Sequence, residues 1–278
     1  MICPLDLKKR YHEGRVLPFL GAGVSMSVCW NVDGKELRGA SWEELVEQAT
    51  KMLGFSEPSL ARVRGTDLQI LEYYRIKNAG QSAPLMNWLL RKMSPPDDAV
   101  ERSDIHKALV ALNNCKIFYT TNYDDFLERA FQLSGRAHRV VAVEAHMGSN
   151  SGSETEIVKF HGDLNNPEQI VLTESQYEKR LRFDSALDTK LRSDLQGRVL
   201  LFIGYSFRDP NVSYLFRLSK TLLENQAGAF PGVRAYITVP EPSEFENELF
   251  KERGIEVIPI RASRITQDIA ELIGELRA

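Results

Sequence analysis

Short apolar runs recur along the chain, and each breaks abruptly into glycine or polar residues. Val16-Leu17-Pro18-Phe19-Leu20, Lys116-Ile117-Phe118-Tyr119, Arg139 to Val143, Ile157-Val158-Lys159-Phe160, Val199-Leu200-Leu201-Phe202-Ile203, Ala235-Tyr236-Ile237-Thr238-Val239 and Ile255-Glu256-Val257-Ile258-Pro259 read as strands, with Ile170-Val171-Leu172 a further short candidate. Helical spacing of apolar residues appears between them. Ser41-Trp42-Glu43-Glu44-Leu45, continued by Val46, Ala49 and Leu53, predicts a helix with Ser41 as N-cap and Glu44 reaching back to it. Ile105 to Leu112, Tyr123 to Gln132 and Thr266 to Leu276 predict helices as well. Strands that are apolar along their length are buried on both faces, so their alternation with helices predicts an α/β fold: a Rossmann-like parallel sheet with helices on both faces. Such a sheet binds ligands beyond the carboxyl ends of its strands.

One stretch departs from this alternation. From Gly54 to Asp98 the pattern is irregularly helical, through Leu68, Ile70, Leu71, Tyr73 and Tyr74 and then Leu85, Trp88, Leu89 and Leu90, ending at Pro95-Pro96. It predicts a small helical insertion over residues 54–98 in a domain built from residues 1–53 and 99–278.

At 278 residues with a net charge of −3, the chain can bury a large core and shows no excess of positive charge for a nucleic-acid track. The bases from Lys179 to Arg192 alternate with Glu178, Asp184, Asp188 and Asp194, which predicts a solvated helix face and no direct nucleic-acid binding. No run approaches the ~18 uncharged apolar residues that span a bilayer, and the charged N-terminal segment does not resemble a secretion signal. A cytoplasmic protein without membrane association is expected. Cys3, Cys29 and Cys115 are isolated, without a Cys-x-x-Cys pair, so no metal site is expected and each cysteine is expected to be a small buried hydrophobe.

The chemistry gathers where the apolar runs end. Gly21-Ala22-Gly23-Val24-Ser25 follows the first run: glycines without Cβ atoms admit an anion to the backbone, and Ser25 could open a helix. A tight turn with no ligand accounts for it as well. Thr120-Thr121-Asn122-Tyr123-Asp124-Asp125 follows the second, with helix capping as its plainer explanation. His161-Gly162-Asp163 ends a strand, where a histidine is either a proton acceptor or a satisfied structural residue. Gly204-Tyr205-Ser206-Phe207-Arg208-Asp209-Pro210-Asn211 combines a close-approach turn with a helix start. Trp42 is core or pocket wall.

Taken in order, Gly21-Ala22-Gly23-Val24-Ser25, Thr120-Thr121-Asn122-Tyr123-Asp124, His161-Gly162 and Gly204-Tyr205-Ser206 resemble the signature segments of the sirtuin superfamily. Trp42 and Asp209 are similar to the bacterial branch that consumes NAD in antiphage defence. The resemblance implies that Gly21, Ala22, Gly23 and Ser25 hold the pyrophosphate and adjoining ribose of NAD, that Asn122 and Asp124 line the nicotinamide pocket, that Val24 and Thr121 also belong to the NAD-binding set, and that His161 is the general base. It further implies that Gly204 and Ser206 pack against the adenosine half and that Asp209 fixes that loop or contacts ribose. Deacylases of this superfamily carry a zinc ribbon and a Pro-x-Phe-Arg segment that this chain lacks, so the helical insertion is expected to replace the ribbon. The implied function is NAD glycohydrolysis, with NAD as substrate and Asn122 and His161 catalytic. Protein deacylation or ADP-ribosyl transfer, and non-catalytic sensing of NAD or ADP-ribose, are the alternatives. Because unrestrained NAD destruction would poison its host, a homo-oligomer or a separate sensor or activator protein is an expected partner.

Overall fold

The computed structural model describes residues 3–148, 154–180, 185–205, 233 and 235–278. Seven strands form one parallel sheet: β1 (Val16–Leu20), β4 (Ile117–Thr120), β5 (His138–Val141), β6 (Thr155–Lys159), β7 (Val199–Ile203), β8 (Ala235–Pro240) and β9 (Ile255–Ile260). Their spatial order is β5-β6-β4-β1-β7-β8-β9. The chain winds outward from β1 through β4, then crosses β1 to continue through β7. The winding direction therefore reverses at β1, and at such a reversal neighbouring crossovers part to leave a crevice beyond the strand ends.

Side-chain alternation along each strand divides the apolar residues between two cores. Val16 and Leu20 of β1 and Val199, Leu201 and Ile203 of β7 face one layer, formed by α1 (Leu5–His12), α8 (Asp104–Val110), α9 (Phe126–Leu133) and the last helix, α13 (Ile265–Arg277). Leu17 and Phe19 of β1 and Leu200 and Phe202 of β7 face the other, under α11 (Ala186–Asp194) and α12 (Glu244–Glu252). A third core joins α3 (Trp42–Met52), α5 (Asp67–Lys77), α6 (Ala83–Lys92) and α7 (Asp97–Arg102) to Phe126 and Ala130 of α9 and to Ile170 and Leu172. Residues 54–98 hold α4 (Pro58–Arg64), α5 and α6, and this third core fastens them beside the carboxyl end of the sheet. Among the described residues no helix is long and apolar enough to cross a membrane.

Several local expectations need correction. Cys29–Val32 (β2) and Lys35–Arg38 (β3) form an antiparallel hairpin that the run analysis missed. Its signal was Asp33-Gly34, whose φ values of 51° and 76° are those of the left-handed two-residue turn that Asp-Gly favours. Cys29 lies exposed on that hairpin, although Cys3 and Cys115 are buried as expected. Ile170 to Leu172 is no strand: Val171 N–H donates to His161 O at 2.9 Å, but the Leu172 and Thr173 amides turn to the Gln176 carboxamide at 2.9 Å. The basic stretch is only partly a solvated face. Lys190 turns inward to Glu156 at 2.6 Å and Asp194 at 2.8 Å, and Arg180, on α10 (Glu174–Arg180), lies 3.6 Å from fully buried Asp188, because the apolar side of α11 draws these residues onto the sheet. Arg182 and Asp184 lie outside the described residues.

Candidate active site

Register places the predicted motifs side by side. Lys159 pairs with Thr120, Thr120 with Leu20, and Leu20 with Ile203, so four neighbouring strands end in one row. The residues that follow, His161, Thr121 with Asn122, Gly21 and Gly204, stand side by side at the carboxyl end of the sheet.

Ala22–Met26 forms a short helix, α2, with Gly21 as N-cap, so Ser25 sits in its last turn rather than opening it. The glycines answer to backbone contact between strand ends. Gly21 N–H donates to Ile203 O and Gly23 N–H to Gly204 O, both at 2.9 Å. A Cβ on Gly21 would lie 2.7 Å from Gly204 O, and one on Gly23 2.8 Å from Gly204 Cα. Gly204 itself has φ +79°, and its Cβ would stand 2.7 Å from Val24 N. These glycines lock two turns together, where the sequence suggested only room for an anion. Val24 turns its side chain into the core, leaving Ala22 and Gly23 on the crevice wall.

Around Asn122 the donor directions are fixed by chemistry. A carbonyl only accepts, so the group 2.9 Å from Gly21 O is the Asn122 amide nitrogen, which also donates to Ser25 Oγ at 2.7 Å. Ser25 Oγ in turn donates to Asp124 Oδ2 at 2.6 Å. Both amide hydrogens are thus committed, and the chemistry Asn122 offers the cavity is its carbonyl oxygen. Asp124 accepts from Phe126 N–H at 3.2 Å just ahead of α9, whose N-cap is Asp125, so the predicted helix begins at Phe126 rather than Tyr123. Burial pushes the Asp124 carboxyl up from its ordinary range, with Lys159 and the Ser25 hydroxyl opposing that shift. Thr121 Oγ1 and Tyr205 OH share a hydrogen bond of 2.9 Å, and the tyrosine hydroxyl also donates to Leu20 O at 3.0 Å. Tyr205 thereby ties β7 to β1 and β4, a role its position within the motif did not suggest.

His161 is buried, with a rim of aromatic rings. Its Nδ1 lies 3.4 Å from Tyr177 OH on α10, and its Nε2 has no hydrogen-bond partner among the described residues. Burial, with the nearby Arg180 cation, holds its pKa well below 6.5, so the imidazole is neutral near pH 7. A neutral ring with Nδ1–H turned to Tyr177 presents Nε2 as a proton acceptor. Gly162 at φ +92° turns the chain sharply after it, and a Cβ there would meet Gln169 O at 2.8 Å.

Lys159 had only an unexpected charge in an apolar run as its signal. Its ammonium is fully buried, 2.9 Å from Glu128 and 3.5 Å from Asp163, and it donates to Tyr123 O at 3.2 Å and to Asp124 O.

Two adjoining hollows occupy the crevice. The narrower one, about 550 Å³ including its open mouth, is lined by Ser25, Thr121, Asn122 and Asp124 on the sheet side and by Trp42, Leu89 and Met93 on the helical side. The wider one, about 1820 Å³ and open to solvent, runs past Gly23, Gly204 and Tyr205 to Thr238 and Val239, with Arg38 and Arg62 opposite. Ala22, Ser41 and Trp42 border both. The Trp42 indole donates to Asp67 at 3.0 Å, and Arg62 holds the same carboxylate at 2.8 Å, which fixes this dividing wall. His161 lies one strand beyond, off the smaller hollow's lining. Ser206 and Asp209 lie outside the described residues. No metal-binding cluster of His, Cys, Asp or Glu occurs among the described residues.

Comparison with known proteins gives the family. The SIR2-like domain model matches residues 116–258, half the chain, including Asn122, His161 and Gly204. The chain is 30% identical over 228 residues to the NAD(+) hydrolase ThsA of Enterococcus faecium, covering 79% of this chain and 44% of that protein. It is 28% identical over 221 residues to ThsA of Bacillus cereus strain MSX-D12, covering 79% and 43%. To Defense-associated sirtuin 2 of Bacillus subtilis it is 24% identical over 267 residues, covering 92% and 24%. The chain spans less than half the length of each of these relatives. With half its length matched by that domain model and its motif residues aligned on one row of strand ends, the chain belongs to the SIR2-like family.

Proposed function

We propose that the chain is an NAD glycohydrolase that cleaves the bond between nicotinamide and ribose, with NAD as substrate. The observation that carries this reading is that the Asn122–Ser25–Asp124 chain at the switch point and the neutral His161, whose Nε2 has no partner among the described residues, end neighbouring strands of the sheet. Two hollows that adjoin at Ala22, Ser41 and Trp42 suit the two halves of a dinucleotide. In this reading the adenosine half lies along the wider one, past Gly204, and the pyrophosphate passes Ala22 and Gly23. The nicotinamide ribose then reaches the smaller one. The names of the relatives favour the same chemistry.

As the glycosidic bond breaks, its electrons pass to the pyridinium nitrogen, nicotinamide leaves neutral, and positive charge develops on the ribose. Asn122 Oδ1 accepts a hydrogen bond from the ribose or from the attacking water and so orients it. Water bonds to the anomeric carbon and yields its proton to His161 Nε2, worth about 10²–10⁴ in rate. Ser25 holds the Asn122 carboxamide in place from behind. We assign the chain to antiphage defence in the cytoplasm, as part of a larger polypeptide or homo-oligomer controlled by a sensor or activator. Residues 54–98 act as an inserted wall of the site rather than as a peptide-binding module.

Incubation with NAD and separation of products tests this. Nicotinamide with ADP-ribose or its cyclic form is the expected outcome, lost in Asn122→Ala and His161→Ala with melting temperatures unchanged. Wild-type rates in both variants would remove the assignment, and consumption of NAD only with an acylated peptide would replace hydrolysis by deacylation. Repeating the incubation across protein concentrations, with light scattering, tests the dependence on assembly.

A further inference from the structure

Granted the NAD-cleaving function proposed for this site, we propose that Lys159 is the positioning residue of its nicotinamide end, one buried ammonium that clamps the Asn122–Asp124 turn to the His161–Asp163 turn. Lys159 is the last residue of β6, in register with Thr120 of β4, so its side chain reaches across exactly one strand spacing to the turn after that strand. There it donates to the carbonyls of Tyr123 and Asp124, the residues that flank and follow Asn122. It also pairs with Glu128 in the first turn of α9 and with Asp163, two residues after His161. Asp163 further accepts from Asn165 N–H at 2.6 Å, closing its own turn. One charged atom thus contacts both segments that carry the reacting groups.

An apolar side chain would fill this space at least as well, since a buried ion pair is often no more stabilising than the hydrophobic residues that could replace it. What an apolar residue cannot do is hold two carbonyls of one turn and a carboxylate of another at fixed separation. Displacements of about an ångström in such groups cost large factors in rate. Among the described residues, the hydrogen bonds and ion pairs of Lys159 do not reach the glycine turn, and Lys159 does not line the wider hollow, so effects of its loss belong to the nicotinamide end.

Lys159→Met alone leaves Glu128 and Asp163 without their cation, so it is compared with Lys159→Met/Glu128→Met, which removes both members of the shorter ion pair and leaves Asp163 its hydrogen bond from Asn165. The double variant is expected to melt near the wild-type temperature. Hydrogen exchange, followed by mass spectrometry, is expected to quicken at least tenfold in peptides covering residues 121–126 and 161–165 but not 16–24. The rate of nicotinamide release is expected to fall at least tenfold while ADP-ribose affinity stays within threefold, and Lys159→Arg, which keeps the cation, should recover part of the rate. Unchanged exchange in both turns, a wild-type rate, or equal loss of ADP-ribose binding overturns the proposal. So does failure of the double variant to fold, which would make Lys159 a core residue. A wild-type protein that releases no nicotinamide sinks the NAD-cleaving reading instead, and the exchange measurements still decide the role of Lys159.

Discussion

His106 and His161 are both buried and both held neutral, but only His161 stands at the carboxyl end of a strand beside the Asn122 turn. His106 shares a 2.8 Å hydrogen bond with Ser103 on the far side of α2, and burial pushes its pKa down to about 4. Unfolding returns such a ring to its ordinary 6.5, so below that pH the unfolded chain binds a proton that the folded chain refuses. Stability therefore falls with pH from 6.5 to about 4. The full loss is about 3 kcal/mol, of which roughly 2 kcal/mol has gone by pH 5. Urea midpoints at pH 7.5 and 5 should show this drop, and His106→Asn, which keeps a group able to reach Ser103, should flatten it. His161 carries the same sign into catalysis. Because its folded pKa lies well below 6.5, the acid limb of kcat/KM for NAD is expected well below that pH rather than near it. A limb centred at 6.5 would mean that another group is the base.

At the scale of elements, the clearest local signal in the chain is the start of α3. Ser41 and Glu44 form the capping box that the sequence predicts, with Glu44 N–H donating to Ser41 Oγ at 3.2 Å and Ser41 N–H to Glu44 Oε2 at 2.8 Å. This cap sits beside Trp42 on the wall between the hollows. Ser41→Ala is expected to cost about 1 kcal/mol, read as a fall of some 2–4 °C in melting temperature. The glycine turns illustrate the opposite case. Gly39, just after β3, stands so close to α2 that a Cβ would lie 2.2 Å from Ser25 O, a contact no local pattern announces. Gly39→Ala and Gly21→Ala are therefore expected to destabilise by about 1–3 kcal/mol through overpacking. Circular dichroism melts should separate this from any effect on ligand binding.

At the scale of the whole molecule, the parallel sheet and the wall of α3 to α6 enclose the crevice between parts far apart in the chain. A ligand that spans them binds only the folded state, and at a hundred times its Kd it stabilises by roughly 2.7 kcal/mol. ADP-ribose, which fills the proposed site without being consumed, should raise the melting temperature by several degrees, and Asn122→Ala should largely keep that shift. No shift at saturating ADP-ribose would place the dinucleotide elsewhere. Much of this architecture was legible beforehand. Apolar runs marked the sheet most plainly at its central strands β1 and β7, since a strand buried on both faces must be apolar throughout, and polar residues right after the runs marked the candidate site. What the linear pattern left open was decided by register and burial. Only pairing across strands sets Lys159 beside the Asn122 turn, aims Asn122 at Gly21 O, and makes glycines 21, 23 and 204 necessary to one another. Periodicity reports which face of an element is buried; it carries no record of which distant group will lie against that face.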